Sequence, residues 1–495
     1  MQQEISETPV SNSRKVMGDT ALTVAERIIS QIAQFTVFVV AARILGPADF
    51  GVFALVSASA ILLLRVAEVG WAPYIMSHDG DATVPRQVLL IAIVTGIVIG
   101  LIGVAGGLAS PTFGASPEFA TLMILFAVWV MLATASQAQK GVMIWQQKMK
   151  ASAICEIAGE IIGLIVALLS LFSGWGLLSL AFARLAAQTT HLIMSFFFTR
   201  LSPQTGMTRE LLRDLWIFSS QIFASRMLIN IRLYTATFII GGFLGPAAVG
   251  FFRAADRLVS AAGEIIAVPG QLLAWTLLRK ARDDGDVTGQ SARINAQVSH
   301  HIKFLFGAGA PVFIWMMVMS DELIGGLLSP EWAPAAPLVA ILAISRLLFT
   351  FGIVTEPLMS IVGEAKRLPP FTLGVLLLSV GLTLISVFYG VYAVAWAQVG
   401  IAAIVLLATM WLFKTYAGID WGAVLAEIRG VIIPLACGVG TLIACEKALG
   451  SQGIPDLVEV LGFGLMAIAV YAVTIRAFDR PFWQQLMSGF GRGSA

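Results

Sequence analysis

The stretch ARILGPADFG, residues 42–51, closes one long apolar run and opens another, and GGFLGPAAVG, residues 241–250, does the same later in the chain. At an offset of 199 residues Leu45 aligns with Leu244, Gly46 with Gly245, Pro47 with Pro246, Ala48 with Ala247, Gly51 with Gly250 and Phe53 with Phe252. The same offset pairs Arg27 with Arg226, each deep in the preceding apolar run. Gly then Pro ends a helix and fixes the next φ, and Gly51 and Gly250 are expected to permit a tight re-entry, so each motif reads as a short external hairpin between two spans. A repeated hairpin with an arginine in register predicts a duplicated bundle.

Composition puts that bundle in a membrane. Of 495 residues, 58% are hydrophobic and only 12% charged, against about a quarter charged in soluble domains. Runs of about twenty apolar residues, the length a helix needs to cross ~30 Å of hydrocarbon, recur almost without interruption. They fall at 21–45, 50–76, 87–110, 118–139, 152–173, 175–198, 215–244, 250–278, 302–328, 333–360, 370–390, 391–413, 430–449 and 456–477, fourteen in all. The first follows a polar arm with Arg14 and Lys15, is too long for a signal-peptide core and has no A-x-A-like site behind it, so it is expected to be a retained helix.

Basic residues mark the cytoplasmic ends of spans. About 21 of the 31 Lys and Arg residues fall on every second loop, and the opposite loops hold only Lys447. Both termini are therefore expected on the cytoplasmic side. Six spans precede the second hairpin, so the two copies enter from the same side as parallel repeats about an axis along the membrane normal. The expected fold is all-α and integral to the membrane: two six-helix lobes around a central cavity, plus two C-terminal helices. Its expected divisions are a cytoplasmic arm over 1–20, lobes over 21–198 and 215–413 joined by a linker over 199–214, helices thirteen and fourteen over 414–477, and a cytoplasmic tail over 478–495.

The segment RILGPADFGVFAL, with its polar arm and amphipathic lead-in before it and RVAEVGWAPYI after it, resembles the opening hairpin of the Wzx-type polysaccharide flippases of the multidrug/oligosaccharidyl-lipid/polysaccharide exporter superfamily. The resemblance covers the first hairpin closely and the rest by span pattern. It implies a two-lobed carrier that moves an undecaprenyl-diphosphate-linked oligosaccharide from the cytoplasmic to the periplasmic leaflet of the bacterial inner membrane. The partners implied are that lipid-linked oligosaccharide, membrane lipids, and a polysaccharide polymerase with its export machinery. Fourteen spans is also similar to the MurJ-type lipid II flippases, but LGPADFG favours the polysaccharide branch.

Setting aside the basic residues assigned to the loops and span ends leaves about nine within spans, and all are arginine: Arg27, Arg43, Arg65, Arg184, Arg226, Arg232, Arg253, Arg257 and Arg346. Each costs about 2.5–3.5 kcal/mol at a helix centre on insertion scales, so it should face a wet cavity or a partner. A guanidinium binds phosphate oxygens bidentately and stays charged, which suits a diphosphate head group. Arg27, Arg65 and Arg226 are read as substrate-binding. Arg253 and Arg257 line the cavity or snorkel outward, Arg43 snorkels, and Arg184, Arg232 and Arg346 either pair between helices or join the cavity. The competing account is local neutralisation, because Glu68 lies three residues after Arg65, Asp256 sits between Arg253 and Arg257, and Glu264 follows at helical spacing. Glu68, Asp256, Glu264 and Glu356 are the candidates for coupling to an ion, with His191 a weaker one.

Other chemistry is not indicated. Cys155, Cys437 and Cys445 lie in or beside apolar runs without metal spacing and are read as packing residues. No cofactor, metal site or nucleic-acid surface is expected. RDDGDVTGQ, residues 282–290, is read as a solvated turn, and KGVMIWQQKMK, residues 140–150, as a topology signal or a headgroup-layer segment. A membrane polymerase would need acid and base on a sizeable external loop, and the external loops are short. A multidrug antiporter of the same superfamily should favour acids over the excess of arginine seen here. A major-facilitator carrier lacks its G-x-x-x-D-[RK] signature in SHDGDATVPRQ, residues 77–87, and a membrane scaffold would leave the buried arginines without purpose.

Overall fold

The computed structural model describes residues 9–114, 116–284, 289–450 and 455–484. Among them there is helix, turn and bend, and no strand. The helices are α1 (Pro9–Ile44), α2 (Pro47–Glu68), α3 (Trp71–Met76), α4 (Thr83–Ala109), α5 (Pro117–Trp145), α6 (Met149–Phe172), α7 (Leu178–Thr199), α8 (Arg209–Leu244), α9 (Pro246–Asp283), α10 (Gln290–Val318), α11 (Ser320–Leu327), α12 (Ala336–Phe349), α13 (Thr355–Ile361), α14 (Leu368–Ser386), α15 (Val391–Ala417), α16 (Trp421–Leu449) and α17 (Asp456–Phe478). Among the described residues thirteen helical segments are long and apolar enough to cross a membrane. The other expected span, 175–198, is α7, whose 22 residues reach across but carry Arg184, Gln188 and His191. The chain is a multi-pass membrane protein.

Several expectations from sequence need correction. The arm over 1–20 is already helix from Pro9, because residues 10–25 contain one glycine and no proline to stop it. Gly51 and Gly250 lie buried inside α2 and α9, so neither makes the hairpin turn. The reversal rests on Gly46 and Gly245, each followed by a proline at the first helical position, where its missing N–H is no loss. The two turns also differ: Gly46 is extended with φ −69°, whereas Gly245 has φ 83°. α9 and α10 extend well past the expected span ends, leaving only 284–289 between them, and residues 285–288 of RDDGDVTGQ lie outside the described residues. KGVMIWQQKMK is held by the protein: Trp145 Nε1 donates to the His78 carbonyl at 3.0 Å and Lys148 Nζ to the Phe198 carbonyl at 2.9 Å.

The chain forms two compact units, 1–234 and 235–495, with the division inside α8. In the first, α4 lies flat on α5 through Gly96, Gly100, Gly103 and Gly107; a Cβ on Gly96 or Gly103 would come within 2.9 Å of Thr134 or Ala127. With lipid as solvent, such small-residue stripes let backbones approach and maximise dispersion contacts. Gly159 and Gly163 of α6 meet Ala187 of α7 in the same way.

In the second unit α10 is central, touching α9, α12 and α16, while α17 lies on α16 and α11. The two C-terminal helices are integral to it. Tyr471 Oη donates to the Gly307 carbonyl at 2.6 Å, Phe482 is fully buried, and buried Lys303 sits 2.7 Å from Asp479 and 3.2 Å from Glu427. Lys303 is thus a buried lysine, where the sequence placed only arginines below the surface.

Candidate functional site

The expected span 50–76 is broken. α2 stops at Glu68, Val69 (φ 34°) and Gly70 (φ 93°) both turn left-handed, and α3 restarts at Trp71. Glycine accepts that conformation, but a β-branched valine there is held against its preference at a cost of about 1–2 kcal/mol. Tertiary contacts fix it. The Trp71 indole N–H donates to the Ala67 carbonyl at 2.8 Å, and the Thr95 hydroxyl reaches the same oxygen at 3.3 Å. α3 sits so close to α5 that a Cβ on Gly141 would lie 2.9 Å from Ala72 Cα.

Irregular backbone at membrane depth survives where it borders protein or a wet cavity, and this break does. A cavity of about 390 Å³ opens beside it, with Arg65, Glu68, Trp71, Gln137, Arg226 and Asn230 among its walls. Arg65 and Arg226, far apart in sequence, meet there within the first unit. Arg65 Nη1 is ion-paired with Glu68 Oε2, and Glu68 is buried. Arg226 is exposed and makes no salt bridge among the described residues; its backbone carbonyl also accepts from Asn230 Nδ2 at 2.8 Å. One carboxylate facing two guanidiniums leaves the cavity with a net positive charge and one open fork. That arrangement can bind an anion with paired oxygens.

The remaining sequence candidates lie elsewhere. Arg27 is exposed on α1 and does not line this cavity; its neighbour Glu26 lies within electrostatic reach of Lys140, Glu156 and His191. In the second unit Asp256 is saturated: Arg253 Nη1 is 3.0 Å from one oxygen and Arg346 Nη2 is 2.9 Å from the other, while Arg346 also donates to Ser260 Oγ at 2.7 Å. Arg346 therefore pairs between α12 and α9. Arg257 is half-buried and Glu264 exposed on α9. Glu356 is exposed and accepts from Gln271 Nε2 at 3.0 Å. Sequence reasoning passed over Glu156 and Glu160 of α6, which lie inside a span one helical turn apart. That i, i+4 spacing of two acids in an apolar run was the available signal.

A sequence profile described as "Polysaccharide biosynthesis protein" matches residues 40–337. The succinoglycan biosynthesis transport protein ExoT of Rhizobium meliloti (strain 1021) is 22% identical over 366 residues, spanning 73% of this chain and 72% of its own length. Among solved structures, the lipid II flippase MurJ in an inward closed conformation superposes with a TM-score of 0.70 at 14% identity, covering 94% of this chain and 99% of that one. An inward-facing multidrug resistance MATE family transporter of the MOP superfamily gives 0.63 at 16% identity, covering 78% and 95%. At such identities the two structures establish the fold: this chain has the fold of the MurJ and MATE transporters.

Proposed function

The chain belongs to the polysaccharide biosynthesis protein family, and from that premise we propose that it is a flippase. Its cargo is an undecaprenyl-diphosphate-linked oligosaccharide repeat unit, carried across the bacterial cytoplasmic membrane by alternating access for exopolysaccharide or lipopolysaccharide synthesis. The observation that carries the reading is the open guanidinium of Arg226 beside the Arg65–Glu68 pair, in a cavity bordered by a broken helix. A cavity of about 390 Å³ falls within the range for specific small-ligand sites. It has room for a diphosphate with its first sugar, while the polyprenyl tail stays in lipid. Arg226 takes the phosphate oxygens bidentately. Arg65 adds the second positive charge, part of which Glu68 holds in check until the anion arrives.

Translocation breaks no covalent bond, so the protein acts as a carrier and has no catalytic residue. The positive cavity disfavours cationic drugs, which counts against the multidrug-antiporter alternative. An interior-negative potential assists outward movement of the head group by about 2.3 kcal/mol per charge per 100 mV.

The test is head-group translocation of a fluorescent undecaprenyl diphosphate in proteoliposomes. Arg226→Ala should abolish most of it, Arg226→Lys should restore part of the charge without the fork, and Arg65→Ala should fall between. Wild-type rates in both alanine variants would remove this cavity from the transport path.

A further inference from the structure

A second polar cluster lies inside the first unit, away from the anion cavity. Glu156 of α6 sits seven residues in from Met149, about 10 Å along the helix. Both its oxygens are engaged: His191 Nε2 of α7 is 2.9 Å from Oε2, and Lys140 Nζ of α5 is 3.4 Å from Oε1. One turn along, Glu160 Oε1 accepts from Gln34 Nε2 of α1 at 3.0 Å. Glu26, also on α1, faces Lys140, Glu156 and His191, with Arg27 beside it. The imidazole is 6% exposed, and its other nitrogen, Nδ1, lies 3.4 Å from Ser195 Oγ. α6 and α7 touch at this level, where Gly159 meets Ala187 and the Cβ of His191.

Glu156 joins three helices: Lys140 of α5 stands at one of its oxygens and His191 of α7 at the other, while Glu26 of α1, with Arg27 beside it, lies within electrostatic reach of all three. His191 is the group here able to add a positive charge, and it sits at ion-pair distance from Glu156. A metal ion does not fit in its place, because nitrogen donors already occupy both oxygens of Glu156, and the described residues contain no grouping of His, Cys, Asp and Glu that could hold one.

We propose that the His191–Glu156 pair is a proton-binding site of the transport cycle: a proton on the imidazole gives Glu156 a second cationic partner, on α7, and its release leaves Glu156 with the Lys140 ammonium of α5. The two protonation states then favour different arrangements of α6 against α7, and that difference is what links a proton gradient to transport. The proposal rests on the carrier reading, but the site is separate from the anion cavity, so the two can fail independently.

Two measurements on the full-length protein decide it. In nanodiscs without substrate, the wild-type melting temperature should fall as pH rises, the imidazole losing its proton and the ion pair its strength. His191→Gln and Glu156→Gln should both give flat profiles. In proteoliposomes carrying the fluorescent undecaprenyl diphosphate, wild type should respond to an imposed pH gradient by up to about tenfold per unit for one proton per cycle. His191→Gln should lose that response while keeping the response to membrane potential. A pH-dependent melting profile surviving in both variants, or an unchanged pH-gradient response in His191→Gln, would overturn the proposal. No translocation by wild type under either gradient would overturn the carrier reading instead, with the proton site then judged by the melting profiles.

Discussion

The two copies of the GP hairpin diverge where their second helices pass membrane depth. In the first copy α2 ends at Glu68 and breaks over Val69–Gly70; in the second, α9 runs unbroken for 38 residues through Pro269. The 199-residue offset places Gly70 opposite Pro269, Val69 opposite Val268 and Arg65 opposite Glu264. Glycine admits a left-handed turn and opens a cavity beside it. Proline, fixed near φ −65°, only interrupts one helical hydrogen bond. The charges differ as well. The first compact unit leaves Arg226 open in a cavity, whereas the second encloses Asp256 between Arg253 and Arg346. The two hairpins begin alike, and a single backbone residue separates a broken helix with a cavity beside it from an unbroken one.

Exchanging the divergent residue breaks the comparison most severely. Gly70→Pro asks a residue locked near −65° to take φ 93°, and should destabilise the protein by about 3 kcal/mol or more, read as a large drop in melting temperature. An unchanged melting curve would mean that the helix break is dispensable.

Next in size is the contrast between open and enclosed arginines. Arg226→Ala removes charge-assisted bonds worth about 1.5–3 kcal/mol, so translocation should fall by about ten- to a hundredfold with little change in melting temperature. Arg346→Ala should do the reverse. It removes one of the two guanidiniums on Asp256 and, since these side chains are partly exposed, should cost about 1–2 kcal/mol of stability. Transport per folded molecule should stay close to wild type. If Arg346→Ala lost transport at full stability, the second unit would hold a site of its own.

The smallest effect sharpens the account of the break itself. Val69 is a β-branched residue at φ 34°, so Val69→Gly should relieve strain and stabilise by about 1 kcal/mol, as a modest rise in melting temperature. Destabilisation would show that the valine side chain contributes more through packing than its backbone loses.

Much of the fold was legible. Span positions follow from hydropathy, because twenty apolar residues have few alternatives to a membrane helix, and the repeat follows from the paired GP motifs. Where expectation missed, the causes are local. α7 looks weak by composition because it carries His191 inward, and α1 begins early because nothing after Pro9 stops it. Met319 ends α10 midway through an expected single span, which the hydropathy of residues 302–328 does not register. The candidate site was half legible. Arg65 and Arg226 were singled out by the cost of burying charge, and Glu68 by its spacing, but the same reading grouped Arg27 with them and left Arg346 between pairing and cavity, because sequence does not give the partner of a guanidinium.

The sequence by itself determined that this is an all-helical, duplicated membrane protein with arginines held below the surface, since the cost of exposing backbone or charge to lipid depends on composition and periodicity alone. Only the tertiary structure decided which of those charges are available. Whether a guanidinium is free or spent depends on which carboxylate stands within 3–4 Å of it, as Asp256 does for both Arg253 and Arg346. That distance is set by helix packing and by where a backbone breaks, and hydropathy carries no record of either.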